Sequence, residues 1–522
     1  MGPTLAVRSV IGRSRATSSW AAIMALKLLF ALGIATAAQR GTLTPPPSPE
    51  PRINGPAIYG VRPSHPLLYR IPATGETPLV FSSNALPRGL TLDAQTGIIT
   101  GRIDQKGRYE VALSARNAFG RSNKKLKIIV GNQLALTPPM GWSSWYSAFT
   151  NISDTLIRTE AKALVSTGLV NHGYAYIEID DGWNIRAQSK STDPAPRDAR
   201  GKLKPSESFP RMNELTAYLH GQGLKAGLYT SPGPETCGKY AGSFQHERQD
   251  AETFAAWGFD LLKYDLCSYE TEFLSGHDDP KVREPYEQMG LILASLNRDV
   301  VYSMCQYGYA NSWTWARAAG GNTWRTTDDL GDDRGGGLWK NVVDFGFGQD
   351  GKERWAGPGG WNDPDNLMVG QVIWHDKLGP TPLTHNEQYT HFTLWAMLAS
   401  PLIIGGDLTR LDAFTVGLLS NDEVIAVDQD ILGKQATPAY RSGSVEVLTK
   451  KLQGGAIAVG FFNLGEHETV VSVPWSDLGI HGRQAVRDLW RQKDLGEFAD
   501  GMRMSVGEHG AELILVRASP PN

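Results

Sequence analysis

The chain has 522 residues, too many for one ordinary domain at roughly 100–200 residues each. Its 41% hydrophobic and 20% charged residues are those of a soluble globular protein, and 51 Lys and Arg nearly balance 54 Asp and Glu, for a formal charge of −3. That balance gives no electrostatic basis for binding nucleic acid or an anionic membrane. In chain order, Arg8, Arg13, Arg15 and Lys27 precede an apolar run over 28–35, which ends in the small residues Ala35, Thr36, Ala37 and Ala38. This layout predicts a cleaved secretory signal peptide over 1–38, with an apolar core too short to span a bilayer. No later window approaches the ~18 apolar residues of a membrane span, so a secreted or periplasmic protein without membrane insertion is expected.

Residues 39–55 carry Pro45, Pro46, Pro47, Pro49 and Pro51, which predicts a stiff extended linker. Over 56–131 the segments LVFSS, GLTL, GIITGRI, RYEVALSAR and KLKIIV are short, strand-like and separated by turn residues, the pattern of an all-β sandwich. The stretch LPRGLTLDAQTGIITGRI resembles immunoglobulin-like domains of secreted bacterial enzymes, and a spacer role is expected. Over 134–433 short apolar runs (AYIEID, KAGLY, FDLLKYD, VVYSMC, PLIIG) alternate with stretches of helical period such as TLIRTEAKALVSTGLV and EQYTHFTLWAMLAS. Strand-then-helix alternation of this length predicts parallel strands with helical crossovers. Eight strand candidates favour a closed (β/α)8 TIM barrel over an open sheet. Over 436–522 the strands SVEVLTKKL, AIAVGFFNL, ETVVSV and GAELILVRA return without helices, predicting a C-terminal antiparallel β domain. The fold class is therefore α/β, a barrel flanked by two β domains.

A barrel places its active site at the C-terminal ends of its strands, and here those ends are polar and aromatic. The first ends at Trp142, the second at Asp180 and Asp181, the third at Tyr229 and the fourth in the run Lys263 to Cys267. The fifth ends at Cys305, Gln306 and Tyr307; the sixth leads from Arg325 to Asp328 and Asp329; the seventh leads to Asp363 and Asp365. Any single carboxylate after a strand can be a loop residue. Acidic clusters at several strand ends on one face, without His, describe instead a pocket for a neutral, hydroxyl-rich molecule, and they disfavour a metal-dependent hydrolase. Paired carboxylates with Trp and Tyr suit glycosidic cleavage, in which one attacks or activates water, another protonates the leaving oxygen, and rings stack on the sugar. Lys263, two residues before Asp265 on a strand, faces the same side and can hold that charge. No cofactor is expected, because two carboxylates supply both nucleophile and proton transfer. The three cysteines fit neither a disulfide framework nor a zinc site, although export permits one bridge.

The motifs MGWSSW, YIEIDDGW, KAGLYTSPGPETC, WGFDLLKYDLC, GGNTWRTTDDL, GPGGWNDPDNLMVG and SPLIIGGDL resemble those of the α-galactosidase (melibiase) family, glycoside hydrolase family 27. The resemblance implies a retaining enzyme that releases terminal α-D-galactose from oligo- or polysaccharides. It implies that Asp265 is the nucleophile and that Asp329, rather than the adjacent Asp328, is the general acid/base. It assigns Asp180 and Asp181 to the axial 4-hydroxyl and the 6-hydroxyl of galactose, and Trp142, Tyr229, Lys263, Arg325 and Asp365 to the remaining pocket wall. It also implies a Cys237–Cys267 disulfide, leaving Cys305 as a buried thiol. One departure concerns the fifth strand, where many relatives carry Cys-Glu-Trp and this chain carries Cys305-Gln306-Tyr307. Gln306 can still bond a 2-hydroxyl, and the bulk of Gln306 and Tyr307 should disfavour a 2-acetamido group. Sister specificities on this scaffold (β-L-arabinopyranoside, α-N-acetylgalactosaminide, α-glucan) and a non-catalytic sugar-binding barrel are the alternatives.

Overall fold

A computed structural model describes residues 41–188 and 193–519; the leader expected over 1–38 lies outside them. Eight parallel strands form one curled sheet: β1 (Met140–Ser143), β2 (Tyr176–Ile179), β3 (Lys225–Thr230), β4 (Leu261–Asp265), β5 (Val301–Cys305), β6 (Thr323–Arg325), β7 (Trp361–Asp363) and β8 (Leu402–Ile404). From β1 to β7 each strand pairs with the next in sequence, β8 pairs with β1, and between β7 and β8 a single parallel bridge from Leu367 to Ile404 joins the segment after β7 to β8. This is the barrel read from the strand-and-helix alternation.

The crossover helices form for local reasons. Helix α1 (Asp154–Ser166) starts where the Ser153 side chain accepts from the Leu156 N–H, an N-cap that satisfies one of the free donors of the first turn. Helix α2 (Arg283–Ser295) runs between β4 and β5. Helix α3 (His385–Leu398) opens with a reciprocal capping box between Thr384 and Glu387. It is buried from Glu387 to Leu398, because it lies between the barrel and the C-terminal domain, so its sequence shows no polar stripe. The β5–β6 connection is instead a short 3-10 segment, Tyr309–Thr314, in which Ala310 and Asn311 adopt positive φ.

Before the barrel, a four-stranded sheet (Ile58–Val61, Arg121–Val130, Gly107–Arg116, Val80–Asn84) packs with a three-stranded one (Leu67–Arg70, Ile98–Gly101, Leu90–Leu92). Val111, Leu113 and Ala115 alternate inward along one long strand, the period-two pattern of a sandwich face. This domain is fixed to the barrel base, where the strands begin. Arg62 donates to Asp299 at 2.5 Å and to the backbone carbonyls of Ala294 and Arg298, and the Lys225 ammonium sits between the Tyr59 and Tyr176 rings. The proline-rich stretch also packs: Leu43 N–H donates to the Tyr389 hydroxyl, and Asn421 donates to Thr44. After the barrel, a six-stranded antiparallel sheet and a two-stranded one close over Val447, Phe461, Val473 and Ile514. Among the described residues, no helix is long and apolar enough to cross a membrane.

Candidate active site

The strand ends named from the sequence converge on one face of the barrel. On β4, Leu262 and Tyr264 turn outward into the core, where Tyr264 meets the ring of Tyr286 edge-on, so that Lys263 and Asp265 turn inward by the two-residue period of a strand. Lys263 Nζ lies 2.7 Å from Asp180 Oδ2. This buried ion pair links the second and fourth strands, and the Lys263 ammonium stands 5.5 Å from the centre of the Tyr229 ring.

Asp265 is buried and accepts three hydrogen bonds. The Tyr307 hydroxyl donates to Oδ1 at 2.7 Å, the Leu266 N–H to Oδ1 at 2.7 Å, and the Tyr229 hydroxyl to Oδ2 at 3.0 Å. Burial raises this carboxyl above its ordinary value, and the Lys263 charge and the Tyr307 hydroxyl only partly offset the rise.

Asp181 accepts from Thr236 Oγ1 at 2.9 Å and from the Gly238 N–H at 2.6 Å. The second bond needs a glycine, since a Cβ at 238 would lie 2.8 Å from the same carboxylate oxygen and 2.7 Å from Thr150. Burial raises Asp181 to about 7.

Across the site, Arg325 Nη1 lies 2.9 Å from Asp329 Oδ1 and 3.3 Å from Asp365 Oδ1. Asp329 is pushed up to about 7, chiefly by burial and then by the charges of Asp365 and Asp265, against the pull of Arg325. Asp365 goes the other way. Burial opposes its ionisation, but Arg325, the Tyr146 hydroxyl at 2.6 Å and the Leu330 N–H at 2.8 Å hold it below the usual carboxylate range. Asp328 turns away from this cluster and pairs with Arg334 at 2.5 Å, both side chains being exposed. The adjacent carboxylates thus have separate environments, and only Asp329 faces Arg325 and Asp365.

Trp142 is fully buried, its indole N–H donating to the Gly406 carbonyl at 2.8 Å. Gln306 is also fully buried, and among the described residues neither of its amide atoms has a partner. From the same loop it is Tyr307 that reaches the Asp265 carboxylate. Cys305 is a free, buried cysteine 3.6 Å from Arg325 Nη1, and burial holds its thiol well above its ordinary pKa.

Cys237, in the loop after β3, is bonded to Cys267, two residues past Asp265, across a sequence separation of 30. The Tyr229 hydroxyl lies 3.0 Å from Cys267 Sγ, so the bridge also borders the Asp265 carboxylate. Peptide mapping without reduction should find these two cysteines joined. Exchanging both for Ser should cost about 2–4 kcal/mol of stability and loosen the Asp265 loop; an unchanged melting temperature would contradict that role.

Tyr146 and Gly238 lie outside the motifs and the strand period, and Thr236, although inside KAGLYTSPGPETC, received no role from the resemblance. Each acts on a carboxylate from at least 55 positions away in sequence. Tyr307 was legible as bulk beside the pocket but not as a donor to Asp265.

A profile of the Alpha galactosidase A family matches residues 137–430, one of the alpha galactosidase C-terminal beta sandwich domain matches 442–516, and one of an Ig domain matches 50–131. The chain is 36% identical to the alpha-galactosidase of Cyamopsis tetragonoloba over 395 residues, covering 75% of this chain and 88% of the relative. Alpha-galactosidase I from Mortierella vinacea superposes with a TM-score of 0.66 at 31% identity, over 75% of this chain and 99% of the other. A Bacteroides fragilis protein of solved structure gives a TM-score of 0.83 at 35% identity, over 91% and 99% of the two chains.

Proposed function

The chain belongs to the alpha galactosidase A family and is a glycosidase that hydrolyses α-galactosides, and from that premise we propose that Asp265 and Asp329 carry out a double displacement with retention of configuration. The contrast between the two carboxyls carries this reading. Asp265 accepts from three donors and lies near the Lys263 charge, which favour its ionised form as a nucleophile against the burial that raises it. Asp329 is bonded by Arg325 and pushed up to about 7, where it keeps a proton near neutrality.

In the first step Asp265 bonds to the anomeric carbon as the bond to the aglycone oxygen breaks, and that oxygen takes the proton of Asp329. In the second, water gives a proton to Asp329 and its oxygen displaces Asp265 from the anomeric carbon. NMR of the first-formed product should show the α anomer; the β anomer would end this mechanism.

The sugar is held by Asp180 and Asp181, with Trp142, Tyr229, Lys263, Gln306, Arg325 and Asp365 around it. Galactose differs from glucose in its axial 4-hydroxyl. Two adjacent buried carboxylates, fixed by Lys263, Thr236 and Gly238, retain acceptor lone pairs for that hydroxyl and for O6. An analogue that leaves such an acceptor unpaired loses on the order of 1–3 kcal/mol. Measured kcat/KM should therefore rank aryl α-galactoside above the α-glucoside, β-L-arabinopyranoside and α-N-acetylgalactosaminide. A different winner would overturn the specificity while leaving the mechanism intact. The basic-then-apolar leader over 1–38 supports export of the enzyme.

A further inference from the structure

The two oxygens of the Asp265 carboxylate are held unequally. Oδ1 accepts two short bonds, from the Tyr307 hydroxyl and the Leu266 N–H, both at 2.7 Å, whereas among the described residues Oδ2 has only the Tyr229 hydroxyl at 3.0 Å. That hydroxyl also lies 3.0 Å from Cys267 Sγ, so its bond to Oδ2 is the weaker tether.

Tyr307 reaches this position at a conformational cost. Its φ of +55° lies in the left-handed region, which a side chain with a Cβ rarely adopts, and Gly308 continues the turn at +82°. The ring neighbours the Arg325 guanidinium carbon, 5.8 Å from its centre, and the Tyr309 ring at 5.9 Å.

We propose that Tyr307 is a positioning residue for the nucleophile: together with the Leu266 N–H it holds Oδ1 as the non-bonding oxygen of the glycosyl ester and leaves Oδ2 to attack the anomeric carbon. The inference rests on Asp265 being the nucleophile. In glycosylation the Oδ2–C1 bond forms, the C1–aglycone oxygen bond breaks, and Asp329 gives its proton to that oxygen. The Asp265 charge is spent, and the two donors at Oδ1 face a neutral carbonyl. In deglycosylation water passes a proton to Asp329 and bonds to C1, the C1–Oδ2 bond breaks, and its electron pair returns to the carboxylate. Charge then rebuilds on Oδ1 against two donors already in place. Tyr307 therefore makes Asp265 a better leaving group and keeps it ionised at lower pH.

Other groups act on the same carboxylate. Lys263 stands on its own strand, Asp180 and Asp181 follow β2, and Tyr229 is on β3. Cys305 ends β5, Asp329 follows β6, and Tyr286 lies on α2. Exchanging only the Tyr307 hydroxyl leaves all of these in place, which isolates its contribution.

The test is Tyr307→Phe in the full chain, with Tyr307→Trp as a second variant that keeps the bulk and lacks the hydroxyl. For an aryl α-galactoside, the acid limb of kcat/KM should move up by about 0.5–1 pH unit. At the same time kcat should fall ~10-fold with KM falling alongside, and a burst of phenol should appear as the ester accumulates. An acid limb unmoved in both folded variants would overturn the proposal. A separate arm distinguishes failure of the underlying assignment. Asp265→Gly with added azide should yield the β-galactosyl azide, and if no such product forms, Asp265 is not the nucleophile, whatever Tyr307 does.

Discussion

Replacing Asp265 by Asn is expected to lower kcat on every α-galactoside by ~10^4-fold or more, because the first covalent bond can no longer form. The loss should not depend on the leaving group, since a better aglycone does not replace an absent nucleophile. The fold should survive. The amide keeps the carboxylate's shape, and two of the three bonds to this side chain come from hydroxyls, of Tyr229 and Tyr307, that can reorient. Removing a buried negative charge also relieves the desolvation that raises this group. The Lys263 ammonium keeps its partner in Asp180 at 2.7 Å. Unchanged thermal unfolding with lost turnover is therefore the expected pair of results. Turnover within tenfold of the parent enzyme would remove Asp265 from the reaction.

Asp329→Asn should behave differently. On oligosaccharides, whose leaving oxygen needs a proton, kcat/KM should fall by about 10^2–10^4-fold, the usual contribution of a positioned acid. On a dinitrophenyl galactoside, whose phenolate leaves unprotonated, glycosylation should be nearly normal and the ester should accumulate, because no base assists the water. The pH profile gives a second reading. Asp329 is raised to about 7, and the acid must be protonated to donate, so parent kcat/KM should decline as pH rises through about 7. In Asp329→Asn that basic limb should vanish. Asp181 is raised to a similar value, so a basic limb that persists in Asp329→Asn would transfer the titration to Asp181 and contradict the acid/base assignment. Asp328→Asn is the control, since its side chain pairs with Arg334 outside the cluster; its activity should stay within a few-fold of the parent.

Much of this protein was legible in its sequence because the relevant signals are local. Alternating apolar runs and helical stretches place eight strands in order, and parallel strands in a barrel necessarily deliver their C-terminal ends to one face. The two-residue period then turns Lys263 and Asp265 to the same side without reference to any other part of the chain. The order of the motifs supplies the family, and with it the Cys237–Cys267 bridge and the expectation of Asp329 over Asp328 as acid/base.

What the sequence could not supply depends on where distant segments come to rest. Tyr146 bonds Asp365 across 219 positions, and Tyr307 bonds Asp265 across 42, contacts that no periodicity records. The positive φ of Tyr307 is likewise a product of how the β5 loop closes over the barrel. The opposed proton affinities of Asp329 and Asp365, which share Arg325, follow from burial and from the number of donors around each. Both carboxyls have the same intrinsic acidity, and only the assembled pocket separates them. The location of the N-terminal domain at the barrel base, held by Arg62 on Asp299 and by Lys225 between two tyrosine rings, is decided by surface complementarity between domains. Local sequence encodes strands, turns and alternation; desolvation and long-range hydrogen bonds exist only once the chain has closed on itself.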